Sequence, residues 1–166
     1  CALPELGLPA VKARVDSGAK TSSLHAFNLH EFEENGKRYV HFDIHPVQDN
    51  RKIIQSCRGR VVDRRSVKSS SGDKEKRYVI RTPIQLGEQS WDIEITLTNR
   101  DSMGYRMLLG REAIAGRTLI DPDASFSLGD IGNEQAKQYY HVAAPKKNGL
   151  KIAVLASNPD LYSNKR

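Results

Sequence analysis

The sequence predicts a small all-β domain, and three observations support that fold class. Short segments in which apolar and polar residues alternate recur along most of the chain, turn-forming residues separate them, and only one short stretch favours a helix. The 166 residues, 38% of them hydrophobic, are enough for one domain with a buried core and few for two. Together these features are typical of a small barrel or sandwich.

The predicted strands follow one another in chain order. A turn at Asn35-Gly36 leads into the second of them, Pro46 ends it, and a polar stretch at residues 68–73 forms the tip of a long hairpin. The apolar run at residues 106–110 is typical of a fully buried strand. It leads into the one short helix, which is predicted at residues 111–116 and ends at Gly116. The strands are predicted at residues 11–15, 39–45, 61–62, 78–80, 84–86, 91–97 and 106–110.

The chain changes character after Gly129. Residues 1–130 carry the strand pattern, residues 131–149 include a stretch typical of a linker, and residues 150–166 begin with an apolar run. That run predicts the first buried strand of a second, α/β domain. The abrupt beginning and end of the sequence lead us to expect a fragment of a longer protein.

The positive charge of the chain is local. The formal net charge is +6, but residues 51–81 hold 11 Lys and Arg against 3 Asp and Glu, and the rest of the chain is slightly acidic. Such a patch favours an anionic partner, either nucleic acid or an acidic polypeptide, and the alternative is a solvated hairpin without a partner. Tyr78 is the one aromatic residue of the stretch, so base stacking has weak support.

Several classes of protein are excluded by simple counts. No apolar stretch is long enough to span a membrane, and the first residues do not resemble a signal peptide. The two cysteines, Cys1 and Cys57, are too few for a disulfide scaffold or a four-cysteine zinc site, and we expect Cys57 to be an inert thiol. A cytoplasmic protein without a membrane partner is the expectation.

The segment with the clearest chemical potential is Asp16-Ser17-Gly18-Ala19, directly after a predicted strand. A carboxylate there lies on a tight turn, where glycine allows close approach of the backbone and the serine hydroxyl can steady the acid. Roughly ninety residues later, two leucines precede Gly110-Arg111 at the start of the predicted helix. Taken alone, Asp-Ser-Gly is also typical of an ordinary Asx turn, so the two motifs matter as a pair.

The pair of motifs resembles the retropepsin-like aspartic peptidases, in which a strand, Asp-Thr/Ser-Gly-Ala, a flap hairpin and an apolar-apolar-Gly-Arg segment follow in this order. Residues 2–9, 20–26 and 67–72 narrow the resemblance to the bacterial group labelled "ATP-dependent zinc protease", or RimB-like, over residues 2–130. Residues 151–166 resemble the opening of a RimK-type ATP-grasp glutamate ligase. The resemblance implies a small closed retropepsin-like barrel, a linker and the start of a truncated ligase domain.

The resemblance also implies catalysis by two facing carboxylates that share one proton. The chain holds one Asp-Ser-Gly, and the Asp-Ile-Gly at residues 130–132 lacks the hydroxyl, so a C2 homodimer would have to supply Asp16 twice. The expected site residues are Asp16, Ser17 and Gly18 in the catalytic group, with Gly110 and Arg111 as structural or dimer residues.

The expected substrate is an acidic peptide. Retropepsins commonly carry an acid two residues after the motif glycine, which pairs with the arginine of the second motif. Here that position is Lys20, so Arg111 is expected to find another partner in Asp121 or Glu112. Lys20 would place a cation beside the cleft, and the alternative is a plain surface lysine. The residues expected to bind substrate are Lys20, Thr21, Arg65, Lys68, Ser69, Ser70 and Ser71.

The two resemblances jointly imply an aspartic-type peptidase that cleaves glutamyl peptide bonds and trims the poly-glutamate tail of a ribosomal protein. Its implied partner is a fused or associated ATP-grasp ligase. The alternative is a catalytically inactive module that presents the acidic tail to the ligase. A further alternative, binding of ribosomal RNA by the same arginines, predicts an affinity that falls steeply with salt. Only the peptidase needs paired Asp16 carboxylates.

A zinc site has one candidate constellation in the sequence. His41, Asp43 and His45 fall at alternate positions of one predicted strand and so share a face, and two imidazoles with a carboxylate can bind zinc. Alternating polar residues are equally what any exposed strand face shows. No His-Glu-x-x-His motif occurs, and we predict neither a metal nor another cofactor.

Overall fold

A computed structural model describes residues 1–68, 72–99, 104–128 and residue 140. Within these residues eight β-strands form one sheet, and a short helix, α1 (Arg111–Ile114), follows the last strand. The strands are β1 (Ala13–Asp16), β2 (Ser22–His25), β3 (Phe27–Glu34), β4 (Lys37–Ile44), β5 (Gln55–Lys68), β6 (Lys74–Leu86), β7 (Gln89–Thr98) and β8 (Met107–Gly110). The prediction of an all-β fold with one short helix is confirmed.

The order of the strands in the sheet is β1-β8-β2-β7-β6-β5-β4-β3. Strands β3 to β7 pair antiparallel with their neighbours in the chain. The first two strands depart from this order, since β2 lies between β7 and β8 while β1 pairs in parallel with β8. This arrangement places the end of β1, at Asp16, beside the end of β8, at Gly110.

In the central strands, the alternation of apolar and polar residues determines which side chains face the core, as predicted. In β4, the side chains of Val40, Phe42 and Ile44 are buried, and the residues between them are exposed or half-buried. Strand β7 shows the same pattern with Ile93 and Ile95. Burial of one such side chain contributes about 1.5–3 kcal/mol, so the alternation determines which face of the sheet covers the core.

The hairpin formed by β5 and β6 is longer than the sequence predicts. Strand β6 is continuous through Thr82 and Pro83, where the pattern predicts two separate strands. The reason is that Thr82 is buried and Pro83 stays in register with Asp92 of β7. A register shift between Val61 and Asp63 interrupts the pairing of the two arms, as a β-bulge does. The arms lead to the predicted tip, of which residues 69–71 lie outside the described residues.

Strands β2 and β3 are not predicted by the sequence pattern. Strand β2 buries Ser22 and His25 beside Leu24, so polar residues occupy positions where alternation predicts apolar ones. Strand β3 is exposed or half-buried along its whole length. It is held by pairing with β4 through the predicted turn, where Asn35 and Gly36 both adopt the positive φ that a tight hairpin requires.

Tyr140 lies in the stretch predicted as a linker, and it is buried in the hydrophobic core. Its hydroxyl donates a hydrogen bond to the carbonyl oxygen of Ala10. Burial raises the pKa of this hydroxyl above the usual range of tyrosine. The other residues of the predicted linker, and residues 150–166 with the predicted ligase strand, lie outside the described part of the chain. None of the helices in that described part is long and apolar enough to cross a bilayer.

Candidate active site

Asp16 ends β1 and begins the tight turn predicted from its Asp-Ser-Gly motif. Its Oδ1 accepts hydrogen bonds from the backbone N–H groups of Gly18, at 3.0 Å, and Ala19, at 3.3 Å. The N–H of Ala19 also lies 3.2 Å from the carbonyl oxygen of Asp16, to which it donates. One carboxylate oxygen is thus fixed by the turn. Within the described residues Oδ2 has no hydrogen-bond partner, so this oxygen is available to water or substrate.

Ser17 and Gly18 contribute to the turn in different ways. A Cβ on Gly18 would lie 3.2 Å from Oδ1 of Asp16, tighter than ordinary contact, so glycine suits the position. Ser17 is exposed. Among the residues that the structure describes, the hydrogen bonds to the Asp16 carboxylate come from backbone amides and not from the Ser17 hydroxyl. The turn therefore holds the acid through its backbone.

The end of β8 packs directly against the backbone that follows this turn. A Cβ on Gly110 would lie 2.6 Å from the carbonyl carbon of Thr21 and 2.8 Å from the nitrogen of Ser22, so only glycine permits this approach. The N–H of Gly110 donates to the buried Oγ of Ser22 at 3.0 Å. Thr21, one of the residues expected to bind substrate, thus contacts Gly110 through its backbone.

The start of α1 is hydrogen-bonded to the backbone of the same turn. The N–H of Arg111 donates to the carbonyl oxygen of Ala19 at 2.8 Å, and that of Glu112 donates to the carbonyl oxygen of Lys20 at 3.1 Å. The guanidinium of Arg111 donates to the carbonyl oxygen of Gly18 at 3.1 Å. The Asp16 turn is therefore clamped between β8 and α1.

The expectation that Asp121 or Glu112 pairs with Arg111 is wrong. Arg111 bonds a backbone carbonyl, while Glu112 pairs with Lys20, whose Nζ lies 3.6 Å from Oε1. Asp121 instead accepts a hydrogen bond from the backbone of Asp123. The side chains of Lys20 and Glu112 are 69% and 53% exposed, so their ion pair contributes only about 0–1 kcal/mol. Another carboxylate can therefore compete with Glu112 for Lys20 at small cost.

The other residues expected to bind substrate belong to the β5–β6 hairpin. Arg65 of β5 donates to the carboxylate of Asp63 at 3.0 Å and lies opposite Arg77 of β6. Arg77 in turn lies 3.5 Å from Glu75. Lys68 ends β5, and its side chain lies outside what the structure describes, as do Ser69, Ser70 and Ser71.

Acidic residues neutralise part of the basic patch. Glu31 of β3 lies 3.2 Å from Arg64, and Glu34 lies 2.5 Å from Arg58. Burial, together with the charge of Glu31 and a hydrogen bond to it, raises the pKa of Tyr78. These carboxylates come from β3, which β4 separates from β5, so the patch carries less net positive charge than residues 51–81 do in the sequence.

The three side chains considered for zinc each have a different neighbour. His41 stacks on Phe32 with ring centroids 4.3 Å apart, and His45 stacks on Phe27 with centroids 4.6 Å apart. Asp43 accepts hydrogen bonds from two polar side chains of adjacent strands. In the described ranges, no three His, Cys, Asp or Glu side chains are grouped as metal ligands would be.

Cys57 lies in β5 and is buried in the core. Burial, and to a smaller extent the charge of Asp43, raises the pKa of its thiol to about 12. The thiol is therefore protonated at neutral pH, and a protonated thiol is a poor nucleophile. This protonation supports the prediction that Cys57 is inert.

Ser22 is a residue of the site that sequence analysis misses. Its hydroxyl is buried and accepts the hydrogen bond from Gly110, which ties β8 to the strand after the Asp16 turn. The burial arises because β2 is paired on both sides, with β7 and β8. A serine in the run Thr21-Ser22-Ser23 carries no local signal of that environment, so the sequence offers no means of finding it.

The sheet and the site together define a class of protein. A strand ending in Asp-Ser-Gly-Ala, clamped by a second strand that ends in Gly-Arg, is the arrangement of a retropepsin-like aspartic peptidase domain. The chain belongs to the RimB-like family: the family model described as "Retropepsin-like aspartic endopeptidase RimB" matches residues 1–129. The resemblance identified in the sequence is confirmed.

The chain is similar to one part of several longer proteins. The chain is 61% identical over all 166 residues to a "Probable alpha-L-glutamate ligase" from Shewanella pealeana, and 55% identical to a protein of the same name from Parasynechococcus marenigrum. The chain spans 36% of the length of both relatives. Among solved structures, it is similar to a protein of unknown function, Lpg0085, from Legionella pneumophila, with a TM-score of 0.59 and 35% identity over 70% of this chain and 84% of that one.

Proposed function

We propose that this domain is an aspartic-type peptidase that cleaves glutamyl peptide bonds and uses a homodimer to bring two Asp16 carboxylates together. The observation that carries the proposal is the Asp16 turn, in which two backbone amides hold Oδ1 while Oδ2 has no partner among the described residues. A carboxylate that is fixed at one oxygen and open at the other is suited to act as a general base toward water.

Two such carboxylates divide the roles of acid and base. Because like charges a few ångströms apart do not both ionise, the pair shares one proton. The ionised Asp16 removes a proton from water as the water attacks the peptide carbonyl, and the protonated Asp16 of the partner subunit donates to the carbonyl oxygen. The proton taken from water then passes to the leaving nitrogen as the C–N bond breaks, and one hydroxyl of the intermediate returns its proton to the other carboxylate as the carboxylic acid forms.

Exposed apolar side chains support the second subunit. Leu119 is fully exposed, Ile120 is 52% exposed and Leu128 is 44% exposed, all in the segment after α1. Val15, which adjoins Asp16, is 47% exposed. Large apolar side chains left in water are typical of a surface that another chain covers. A twofold interface that covers Val15 would also bring the two Asp16 residues toward one axis.

The names of the relatives support a glutamate-containing substrate. A ligase that adds glutamates and a peptidase that removes them would act on the same acidic tail, which we propose is that of a ribosomal protein in the cytoplasm. Lys20 supplies an exposed cation beside the Asp16 turn, and its pairing with Glu112 is weak enough to yield to a substrate carboxylate. The ATP-grasp ligase, fused or associated, is the proposed partner.

Replacing Asp16 by Asn tests the proposal in the full chain. A peptide of consecutive glutamates is incubated with the protein and its products are followed by mass spectrometry. We expect products from the wild type and none from Asp16→Asn, because an amide neither accepts the proton of water nor shares one. Asp92→Asn, which alters an exposed carboxylate of β7, is the matched control and should leave turnover unchanged. Equal turnover by Asp16→Asn and the wild type would overturn the proposal.

A module that binds the acidic tail without cleaving it is the second candidate. The observation in its favour is that relatives which match this chain over its whole length are named as probable ligases. Fluorescence anisotropy with the same peptide separates the two candidates. A pure binding module would bind the peptide equally well as wild type and as Asp16→Asn, and neither protein would release products.

A further inference from the structure

We propose that Arg14 selects an acidic side chain in the substrate residue next to the cleaved bond. This inference rests on the proposed function of Asp16 and names a residue that contacts substrate beside it.

Arg14 and Asp16 lie on the same side of β1. Side chains of a strand alternate between the two faces, so residues two apart point the same way, with their Cα atoms about 6.6 Å apart. Both residues belong to β1, and Arg14 is exposed. Strand β1 is at the end of the sheet order, so within the described residues no further strand pairs with its outer edge. A long side chain from Arg14 therefore has open space next to the carboxylate.

Strands β8 and β2 extend the face of the sheet on which Arg14 lies. Arg14 lies opposite Leu108 of β8, and Leu108 lies opposite Ser23 of β2. Side chains at directly paired positions share a face of the sheet. These three residues form a row two positions before the pair Asp16–Gly110, on the same face of the sheet. The row offers a cation at its edge and a half-buried leucine at its centre.

The charge of Arg14 is not neutralised by any described carboxylate, whereas Lys20 and Arg65 are each paired with one. Lys20 lies 3.6 Å from Glu112, and Arg65 donates to Asp63 at 3.0 Å. No such partner is recorded for Arg14 among residues 1–68, 72–99 and 104–128. An exposed guanidinium that makes no ion pair with a described carboxylate can bind the carboxylate of a ligand.

Glutamate fits this row better than other side chains do. Its methylene groups can lie on Leu108 while its carboxylate accepts two parallel hydrogen bonds from the Arg14 guanidinium, the geometry in which arginine binds carboxylates most strongly. Glutamine has the same shape without the charge. The preference for glutamate over glutamine at this subsite therefore measures the contribution of Arg14.

The experiment compares two matched peptides, one of consecutive glutamates and one in which glutamines replace the glutamates near the cleaved bond. The value of kcat/KM is measured for both peptides with the full chain as wild type, Arg14→Gln and Arg38→Gln. Arg38 is an exposed arginine of β4, outside the basic patch and several strands away from β1, and serves as the control for loss of charge. Binding of both peptides is measured in parallel on the Asp16→Asn background, with and without Arg14→Gln.

We expect Arg14→Gln to reduce the preference for glutamate about tenfold to a hundredfold in kcat/KM and in binding, the range for a hydrogen-bonded charge pair, while Arg38→Gln leaves it unchanged. An undiminished preference in Arg14→Gln, with turnover that still requires Asp16, would overturn the role of Arg14 and leave the peptidase intact. Binding that depends on Arg14 without any turnover by the wild type would support the Arg14 contact and overturn the peptidase. Absence of both binding and turnover would overturn both.

Discussion

Ser22 and Gly110 are joined by a hydrogen bond in which the buried Oγ of Ser22 accepts from the backbone N–H of Gly110 at 3.0 Å. Gly110 is also the register partner of Asp16 in the pairing of β1 with β8. The bond therefore ties the strand after the Asp16 turn to the strand beside Asp16. We infer that the position of the carboxylate depends on this contact as well as on the turn itself.

Replacing Ser22 by Ala should destabilise the domain measurably. The change removes the acceptor and leaves the Gly110 N–H buried and unpaired, which costs about 1–3 kcal/mol. Urea unfolding should show a lower midpoint with an unchanged slope. Ser90→Ala, at an exposed serine of β7, is the matched control and should stay within about 0.5 kcal/mol of the wild type. A midpoint for Ser22→Ala that matches this control would contradict the role of the bond.

Replacing Gly110 by Ala adds only one methyl group, but we expect it to reduce activity strongly. The new Cβ would lie within 3 Å of backbone atoms of Thr21 and Ser22, and backbone atoms cannot move aside as the end of a flexible side chain can. Overpacking of this kind costs about 1–3 kcal/mol, and the shift should displace the turn that carries Asp16.

The measurement for Gly110→Ala is thermal unfolding together with turnover of the glutamate peptide. Gly104→Ala is the control, because a Cβ there meets no atom within 4 Å. We expect a clear loss of both melting temperature and turnover for Gly110→Ala and of neither for Gly104→Ala. Wild-type turnover by Gly110→Ala would show that the close contact does not position Asp16.

The parts of the fold that could be predicted from the sequence are those whose signal is local. Strand β4 alternates through Val40, Phe42 and Ile44, and its burial follows that period. The Asp16 turn depends on Gly18 two residues away, so the motif alone predicts it. In both cases the residues that determine the structure are close together in the chain.

The remaining parts depend on partners far away in the sequence. The bond from Arg111 to the carbonyl of Gly18 and the pair of Lys20 with Glu112 join residues that are roughly ninety positions apart. Strand β2 buries Ser22 because β7 and β8 pair with it on both sides. No local pattern in the sequence indicates these contacts. The prediction that Arg111 pairs with a carboxylate rested on charge alone, and it is wrong because Arg111 bonds the carbonyl of Gly18.

The Cys57 thiol should make the stability of the domain depend on alkaline pH. Its pKa is raised from 9.0 to about 12 by burial and, to a smaller extent, by the charge of Asp43, so the native state holds the proton more tightly than the unfolded state. The stabilisation is complete below pH 9, where both states are protonated, and is lost as the pH rises from 9 toward 12. We therefore expect the unfolding free energy to fall over this window.

The contribution of Cys57 is isolated by comparison with Cys57→Ala. The difference in unfolding free energy between the two proteins, from urea titrations, should be constant below pH 9 and should shrink above it, because only the wild type has the thiol. Other groups that titrate in this range cancel in the difference. A difference that is constant across the whole window would contradict the raised pKa.

Tyr140 should anchor the segment after the sheet to the core. Its ring is buried, and its hydroxyl donates to the carbonyl oxygen of Ala10 while the N–H of Ala10 donates back to it at 3.4 Å. Tyr140→Phe removes these bonds and keeps the ring, at an expected cost of about 0.5–1.5 kcal/mol. Tyr140→Ala also removes the buried ring, and the loss of an aromatic side chain from a core costs about 3–5 kcal/mol.

Urea unfolding of both Tyr140 variants, beside Tyr105→Phe as the control at a half-buried tyrosine outside this contact, measures the two contributions separately. We expect the order of stability to be wild type, then Tyr140→Phe, then Tyr140→Ala, with Tyr105→Phe close to the wild type. Limited proteolysis should then cut the chain faster in Tyr140→Ala, because the contact of Tyr140 with Ala10 is lost. Unfolding curves and cleavage rates that are identical for all four proteins would show that Tyr140 is not packed in the core.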